Sequence, residues 1–256
     1  TSGSDYQLPN TITISAGDLS ANGAFDPTDD SIYDGASSEN AIISISGVSG
    51  GSAVESGTQT VTIAISENET APSITLSVDN GSSSSVTEGG TNPTIKVTAS
   101  TASAADIMVN LVAGGSSTAS ANVDYTLPTS ITISAGDTSN TAALSILNDS
   151  LYEGSTAETV IVDISSVSGG SENGTQSVTV SITDNESAPT VTLSRNNASV
   201  SEDGGTSTIT ATLSGKTYEN VTVTLGNSGT ATSGTDYSYT GSITISAGSL
   251  TGTDTF

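Results

Sequence analysis

The sequence predicts an all-β protein built from tandem antiparallel β-sandwiches, and three observations lead to this fold class. Thr, Val and Ile, which favour strands, occur throughout the chain, and no helical period extends beyond a couple of turns. Short runs with apolar residues at every second position are separated by clusters of Gly, Ser and Asn. Several sequence landmarks also recur with a period of about 115 residues, which indicates repeated units.

Seven strands are predicted in the one unit that contains every landmark. Their ranges, in chain order, are 74–78, 94–99, 107–112, 130–134, 141–147, 158–165 and 176–183. Alternation is clear in the first, sixth and seventh, which contain ITLSV, TVIVDIS and SVTVSIT, and turn-forming clusters delimit the others. About seven short strands in a unit of this size are typical of an immunoglobulin-like β-sandwich.

The landmarks lie in loops and turns. Asp-Tyr followed by ITISAG occurs at Asp5, Asp124 and Asp236, with steps of 119 and 112 residues. A carboxylate-Asn-Glu-x-Ala-Pro motif occurs at Glu67 and again, 117 residues later, at Asp184. An acid-glycine turn reads SVTEGGT in one copy and SVSEDGGT in the next. Because three landmarks share one period, we interpret the chain as an internal repeat.

The phase of the landmarks divides the chain into three parts. Residues 1–72 hold the C-terminal half of a unit, residues 73–188 a complete unit, and residues 189–256 the N-terminal half of a third unit. We interpret the chain as a slice through a longer array of such units. The alternative is a fibre subunit whose half-domains complete each other head to tail by strand donation.

Composition excludes several classes of function. The net charge is −24 with only three basic residues, so nucleic acid is not expected as a partner, because phosphate binding needs clustered Lys or Arg. No run is apolar enough for insertion into a membrane. The absence of Cys and His removes disulfides, catalytic triads and the usual ligands of zinc, copper and haem. Carboxylate pairs can hydrolyse glycosides, but 4% aromatic residues are too few for a sugar cleft, so we do not expect an enzyme.

The acids of the complete unit gather at turns rather than on outward strand positions. Those at the turns are Glu88, Asp124, Asp149, Glu153, Asp184 and Glu186. Loops at one end of a sandwich converge, and uncompensated carboxylates brought together there would repel one another. A hard cation removes this repulsion, and Ca²⁺, which takes about six to eight oxygen ligands, fits better than Mg²⁺. The alternative is that the acids only solvate the surface or adapt the protein to high salt.

The order of the motifs EGG, DY, NDSLYE and DNE resembles the Calx-beta repeat. That family is known from the regulatory domains of sodium/calcium exchangers and from very large bacterial surface proteins. The resemblance covers essentially the whole chain and implies a seven-stranded sandwich that binds calcium at the tip where the next domain attaches. A second resemblance is to cadherin-like domains, because DNE-x-AP is similar to their interdomain calcium linker.

The Calx-beta resemblance also implies a set of calcium ligands. In the complete unit they are Glu88, Asp124, Asn148, Asp149, Glu153, Asp184 and Glu186. Asn148 stands where the family has the first of two Asp residues, so one charge is lost. In the partial units the matching residues are Asp5, Asp29, Asp30, Asp34, Glu67 and Glu69, then Glu202, Asp203 and Asp236.

We therefore expect a calcium-stiffened structural segment of a long extracellular repeat protein, either a surface fibre or an adhesin stalk. Calcium would tie the linker that contains Pro189 to the tip of the sandwich and fix the angle between units. Its partners would be neighbouring repeats or copies of the chain in a fibre. The alternatives are an adhesion module, which would bind a surface receptor or glycan through residues 101–121 and 217–232, and a calcium sensor.

Overall fold

The computed structural model describes residues 5–35, 37–79, 81 and 83–255. These residues form strands, turns and bends, which confirms the all-β fold class. No helix in this part of the chain is long and apolar enough to span a membrane. We describe three units by the boundaries drawn from the sequence and call them the first, middle and last unit.

The first unit contains one long hairpin and three very short strands. Its strands are β1 (Tyr6–Gln7), β2 (Asp26–Pro27), β3 (Ile32–Tyr33), β4 (Glu39–Ser44) and β5 (Thr60–Ile65). β1 pairs with β2, and β4 with β5, both antiparallel. Ala41 is buried on this hairpin, but Ile42 and Val61 are 68% and 60% exposed. The hairpin therefore leaves much of its apolar surface uncovered.

The middle unit is a complete sandwich of two facing sheets. Its strands are β6 (Ser73–Val78), β7 (Ser83–Thr87), β8 (Thr94–Ala99), β9 (Ala102–Ser103), β10 (Ile107–Ala113), β11 (Tyr125–Thr126), β12 (Ser130–Ile133), β13 (Ser139–Ala143), β14 (Ser145–Ile146), β15 (Leu151–Tyr152), β16 (Glu158–Ser168), β17 (Ser171–Glu172) and β18 (Ser177–Thr183). One sheet has the order β12-β10-β16-β18-β7 and the other β13-β8-β6-β17. Pairing is antiparallel except at two edges, where β7 joins β18 and β17 joins β6 in parallel.

Alternating Ile, Val and Leu side chains from both sheets form the core of the middle unit. Fully buried examples are Ile74, Ile95, Val109, Ile133 and Val160. Burying one such side chain contributes about 1.5–3 kcal/mol relative to leaving it exposed, so a core of small aliphatic residues suffices without Trp. This core holds the strand ends in fixed positions, and those ends carry the acidic loops.

Two features of the middle unit differ from the predicted strands. The predicted strand 141–147 is divided into β13 and β14, which pair with β8 and β11 respectively, so the chain passes from one pairing partner to another at the fully buried Leu144. The segment before the acid-glycine turn, predicted as part of a turn region, forms the edge strand β7. Its sequence SSSVT carries only one large apolar residue, so no alternation marks it as a strand.

The last unit repeats the first half of the same sandwich. Its strands are β19 (Val191–Arg195), β20 (Thr208–Leu213), β21 (Lys216–Thr217), β22 (Val221–Thr224), β23 (Ser242–Ile245) and β24 (Thr251–Thr255). The order β19-β20-β24 matches β6-β8-β13, and the pair β22-β23 matches β10-β12. A small core of Ala211, Leu213, Ile243 and Ile245 joins the two sheets.

Candidate metal centre

Parallel pairing of the edge strand β7 with β18 brings the first acidic residues together. β7 and β18 are paired so that Thr87 lies opposite Thr183, and the next residue on β7, Glu88, donates its backbone N–H to the Thr183 carbonyl oxygen at 3.0 Å. Asp184 follows Thr183 directly. Glu88 and Asp184 are therefore adjacent, although 96 positions separate them in the chain. We call this end of the middle unit the acidic pole.

Glu88, Asp184 and Glu186 form the first carboxylate group of the pole. One carboxylate oxygen from each residue lies within 4.8 Å of the others. Glu88 is only 6% exposed, and the buried Oε2 of Glu186 has no hydrogen-bond partner among the described residues. Burial raises the pKa of Glu88 to about 7, and the negative charges of Glu153 and Asp149 add to the effect. This group is thus poorly solvated and repelled by its neighbours.

Asp124, Glu153 and Glu158 form the second group, again with three carboxylate oxygens within 4.8 Å of one another. Asp124 is 5% exposed, and its Oδ2 accepts the Ser120 N–H at 2.5 Å. Burial, followed by a hydrogen bond with Asp124, raises the pKa of Glu158 to about 7. Burial and the charge of Asp124 also raise the pKa of Glu153. The second group therefore has the same unfavourable concentration of negative charge.

Asp184 and Asp149 connect the two groups. Asp184 Oδ2 accepts the N–H of Glu153 at 2.7 Å and that of Gly154 at 3.3 Å, while its Oδ1 accepts the N–H of Glu186 at 2.8 Å. Burial acts to raise the pKa of Asp184, but these backbone donors lower it overall. The charge of Asp149 raises the pKa of residues in both groups, Glu88 and Glu186 in one and Glu153 in the other. The pole is therefore one electrostatically connected site.

The donor set fits calcium. Every charged ligand at the pole is a carboxylate, and the chain has no His or Cys to favour a softer metal. Each Ca–O distance is about 2.3–2.6 Å, so oxygens on opposite sides of one ion are about 5 Å apart, which matches the spacing within each group. The residues that could hold the ion are those of the two groups together with Asp149.

The Calx-beta domain model matches residues 67–186 and 184–247. The chain belongs to the Calx-beta family. Among solved structures, it resembles the apo-form Calx CBD1 domain with 18% identity over 44% of this chain and 98% of that chain, at a TM-score of 0.36. It also resembles the calcium binding domain CBD12 of CALX1.1 with 16% identity over 71% and 74% of the two chains, at a TM-score of 0.38.

A third similar structure is a two-domain protein of unknown function from Bacteroides fragilis. It shares 10% identity over 60% of this chain and 70% of that chain, at a TM-score of 0.35. No curated protein matches the chain. The family match confirms the tandem Calx-beta repeats predicted from the sequence, and calcium, the predicted ion, is one that the acidic pole fits.

Asn148, the predicted ligand that lacks a charge, has a different environment in this Calx-beta repeat. Its Oδ1 accepts a hydrogen bond from the Asn185 side chain, which also donates to the Glu88 carbonyl oxygen at 3.0 Å. Its amide nitrogen donates to the Asp149 carbonyl oxygen at 3.0 Å. Asn148 therefore links three loops of the pole, and its ligand role stays a prediction.

Most of the predicted ligands of the first unit also lie near one another. Asp5, Asp30, Asp34, Glu67 and Glu69 line one pocket, together with one acid that the sequence analysis did not select, Glu39. Glu67 Oε2 accepts the Asp34 N–H at 2.5 Å, as Asp184 accepts that of Glu153. Asp29 Oδ1 accepts the Asn68 side-chain amide at 2.7 Å, as Asn148 accepts that of Asn185.

The predicted ligands of the last Calx-beta unit are not brought together. Glu202, Asp203 and Asp236 are exposed, and among the described residues both close carboxylate groups belong to the middle unit. Asp236 nevertheless keeps the local bond of its counterpart, because its Oδ2 accepts the Thr232 N–H at 2.7 Å. The loops that would face these residues belong to the second half of a repeat.

Glu158 is the main site residue that the sequence analysis missed. It is the first residue of β16 and falls within a predicted strand, where an acid usually indicates a solvated position. A signal did exist, because Glu39 begins β4, the corresponding strand of the first unit. An acid at the start of the same strand in two repeats indicates a ligand rather than a chance surface charge.

Proposed function

We propose that this chain is a non-enzymatic, calcium-stiffened structural segment of a long extracellular repeat protein. The observation that carries the proposal is the acidic pole, where loops distant in sequence present two close carboxylate groups. The last residues of the pole, Asp184 to Glu186, lead directly into the linker with Pro189 and the last unit. An ion held there acts on the connection between two units.

The proposed stiffening follows from electrostatics. Without a cation, the buried and mutually repelling carboxylates favour loops that separate. With Ca²⁺ bound, the residues of the two groups and Asp149 would serve as its ligands, and the loops after β7, β14 and β18 would be tied together. The ion supplies positive charge, while the backbone donors to Asp184 hold the ligands in place.

An extracellular location suits the composition. A net charge of −24 keeps long arrays soluble and apart from one another, and the absence of Cys removes any dependence on redox conditions. Extracellular modules bind calcium with dissociation constants of about 10⁻⁴ to 10⁻³ M, near the calcium level outside cells. Adhesin stalks and surface fibres are the roles that need many such units in series.

Thermal unfolding of the full chain tests the proposal. Calcium added to calcium-free protein is expected to raise the midpoint of the middle unit by about 10 °C, since a ligand at a hundred times its dissociation constant stabilises by about 2.7 kcal/mol. Magnesium and NaCl of equal ionic strength serve as controls. A shift of the same size with either control would mean that the acids only solvate the surface.

A second candidate function is that of a fibre subunit that polymerises head to tail, and the exposed apolar faces of the first and last units favour it. The first unit exposes Ile42 and Val61, and the last exposes Val191 and Leu193 at 40% and 56%. The two units contain opposite halves of one sandwich, so copies of the chain could complete each other head to tail. Sedimentation velocity over a range of concentrations tests this: growth into linear oligomers supports it, and a monomer throughout contradicts it.

A further inference from the structure

A two-residue strand inside each acidic loop pairs with the next unit. β15, which lies between Asp149 and Glu153, is parallel to β21 of the last unit, with Leu151 opposite Lys216 and Tyr152 opposite Thr217. In the first unit, β3 is parallel to β9 of the middle unit, with Ile32 opposite Ala102. The same kind of joint therefore occurs at both boundaries between units.

The hydrogen bonds across the two joints are equivalent. The Tyr152 carbonyl oxygen accepts the N–H of Tyr218 at 3.1 Å. The Tyr33 carbonyl oxygen accepts the N–H of Ala104 at 3.0 Å. In each case the donor lies one residue beyond the paired strand. Both contacts use main-chain atoms, so they do not depend on the side chain at either position.

The receiving segment is held rigidly in its own unit. The Ser103 and Thr217 carbonyl oxygens accept N–H groups of Gly136 and Gly248, each at 2.8 Å. Ser103 is 5% exposed and Thr217 6% exposed. The ITISAG sequence, which supplies these glycines, predicts only a strand that ends in a turn, and the structure shows that this turn supports the joint.

Side chains of the receiving segment also bond to that turn. Asp106 Oδ1 accepts the Ala135 N–H at 2.9 Å, and Asn220 Oδ1 accepts the Ala247 N–H at 2.8 Å. The segments read ASAAD and KTYEN, which share only a hydroxyl residue at the second position and an Asp or Asn at the fifth. The shared positions are those that hold the segment, and the others vary.

The donating strand is held between candidate ligands. Asp149 Oδ1 accepts the Leu151 N–H and Asp184 Oδ2 accepts the Glu153 N–H, both at 2.7 Å. In the first unit, Asp30 Oδ1 accepts the Ile32 N–H at 2.7 Å. The carboxylates at the pole thus fix the backbone that reaches across to the next unit.

We infer that the segment after β8 in the middle unit, and the matching segment after β20 in the last unit, is a docking surface for the acidic loop of the preceding repeat. This backbone joint, more than the Ala-Pro linker, sets the angle between units. Its partner is any repeat of this type, because the hydrogen bonds across it are between main-chain atoms. The inference deepens the proposed function and rests on it only for the role of a multi-unit rod.

The joint also accounts for the first residues of the two loop regions that differ between the units. Residues 101–121 and 217–232 are the candidates for binding a receptor or glycan, and their first residues are occupied by the preceding unit. Only the parts beyond Asp106 and Asn220 lie outside the joint. A receptor that used these segments would have to bind beside the joint.

Distance measurements between spin labels test the joint in the full chain. The chain has no Cys, so single cysteines at the exposed positions Ser177 and Ser246 label the middle and last units specifically. Tyr218→Pro removes the donating N–H, whereas Tyr218→Ala removes the side chain and keeps the N–H. In calcium, the distance distribution is expected to broaden at least twofold with Tyr218→Pro and to stay unchanged with Tyr218→Ala.

Ala104→Pro and Ala104→Ser repeat the test at the first joint, with spin labels at Thr60 and Ser177. Testing both joints guards against the case in which one proline variant unfolds its unit. Unchanged width in both proline variants, or equal broadening by Tyr218→Ala, overturns the inference. Calcium removal from the unsubstituted labelled chain separates the two ideas. If the width of the distance distribution does not depend on calcium but Tyr218→Pro still broadens it, the proposed stiffening by calcium is wrong and the inferred joint is supported.

Discussion

Glu158 illustrates how one carboxylate can have opposite effects on stability in the presence and absence of a cation. Without calcium it is a partly buried charge beside Asp124, and burial together with that neighbour raises its pKa to about 7. With calcium, a carboxylate oxygen of Glu158 would serve as a ligand of the ion at the second group. The sign of the effect of a substitution therefore depends on the ion.

Replacing Glu158 with Gln tests this reversal. In calcium-free buffer, Glu158→Gln is expected to raise the unfolding midpoint by a few degrees, because it removes a repelled charge. In calcium, the affinity is expected to fall at least tenfold, a loss of about 1.4 kcal/mol. Calorimetric titration and thermal unfolding measure the two effects. Asp137→Asn, in the exposed turn after β12, is the control of equal charge; the prediction fails if both variants behave alike.

The raised pKa values also predict how stability depends on pH. Glu88 and Glu158 have pKa values of about 7 in the folded chain against 4.5 when unperturbed, so between these values the folded state binds more protons than the unfolded state. Stability in calcium-free buffer must then fall as pH rises from about 4.5 to 7. Below this window the lowered pKa of Asp184 acts in the opposite direction.

Unfolding midpoints measured between pH 4.5 and 8 check this dependence. Without calcium, the unfolding midpoint is expected to fall as pH rises. This dependence is expected to be weaker in a Glu88→Gln/Glu158→Gln double variant, which has no titratable group at those positions. In calcium the slope is expected to reverse, because protons compete with the ion for the same oxygens. A calcium-free midpoint that rises with pH would contradict the assigned burial of these two carboxyls.

At the scale of elements, the turn after β7 determines whether the pole can assemble. Gly89 has φ +67°, and a Cβ at this position would lie 2.8 Å from Asn148 Oδ1. That oxygen is hydrogen-bonded to Asn185, whose amide also holds the Glu88 carbonyl. A side chain here would therefore strain the backbone and push apart the loops that Asn148 connects.

Gly89→Ala is expected to destabilise the chain by about 1–3 kcal/mol and to weaken calcium binding. Gly174→Ala is the matched control, because Gly174 also has positive φ, +65°, but a Cβ there would meet no atom of the described residues within 4 Å. The control should show the backbone cost alone and leave calcium affinity unchanged. Chemical denaturation and calorimetry measure both; equal loss of affinity in the two variants would show that the contact with Asn148 is unimportant.

Elements are predictable from sequence where their side chains alternate. β6, β16 and β18 are recognisable because buried Val and Ile stand at every second position, and the burial follows that pattern. β7 is not recognisable from the sequence, because it is formed by parallel pairing with β18 and its own residues are mostly Ser. This pairing, which no local pattern encodes, is what places Glu88 beside Asp184.

The candidate site is predictable to the extent that acids lie in turns. Glu88, Asp124, Glu153, Asp184 and Glu186 stand in turns, and the structure brings all five into the two groups. Their division into two groups cannot be derived from the sequence, because it depends on which strand ends are neighbours. The joint between units cannot be predicted from the sequence either, since the hydrogen bonds across it are made by backbone atoms.

At the scale of the whole molecule, successive units are connected in two ways. One connection is the linker that follows the acidic pole, and the other is the backbone joint between the acidic loop and the next unit. Both start at the residues that would bind calcium. Because each unit contacts only its neighbours, the bending of an array is expected to accumulate over its successive, equivalent joints. A small change at each pole would therefore alter the dimensions of a long chain substantially.

Solution scattering of the full chain measures that consequence. Calcium is expected to increase the maximum dimension and remove the flexible-chain signature, and magnesium at equal concentration is expected to do so less. An Asp30→Asn/Asp149→Asn double variant should remain flexible in calcium. Asn can still accept the N–H bonds that Asp30 and Asp149 accept from Ile32 and Leu151, so only the charge is lost. If the double variant stiffened in calcium like the unsubstituted chain, the ion would have to act through other acids, and the proposed coupling between the acidic pole and the joint would be wrong.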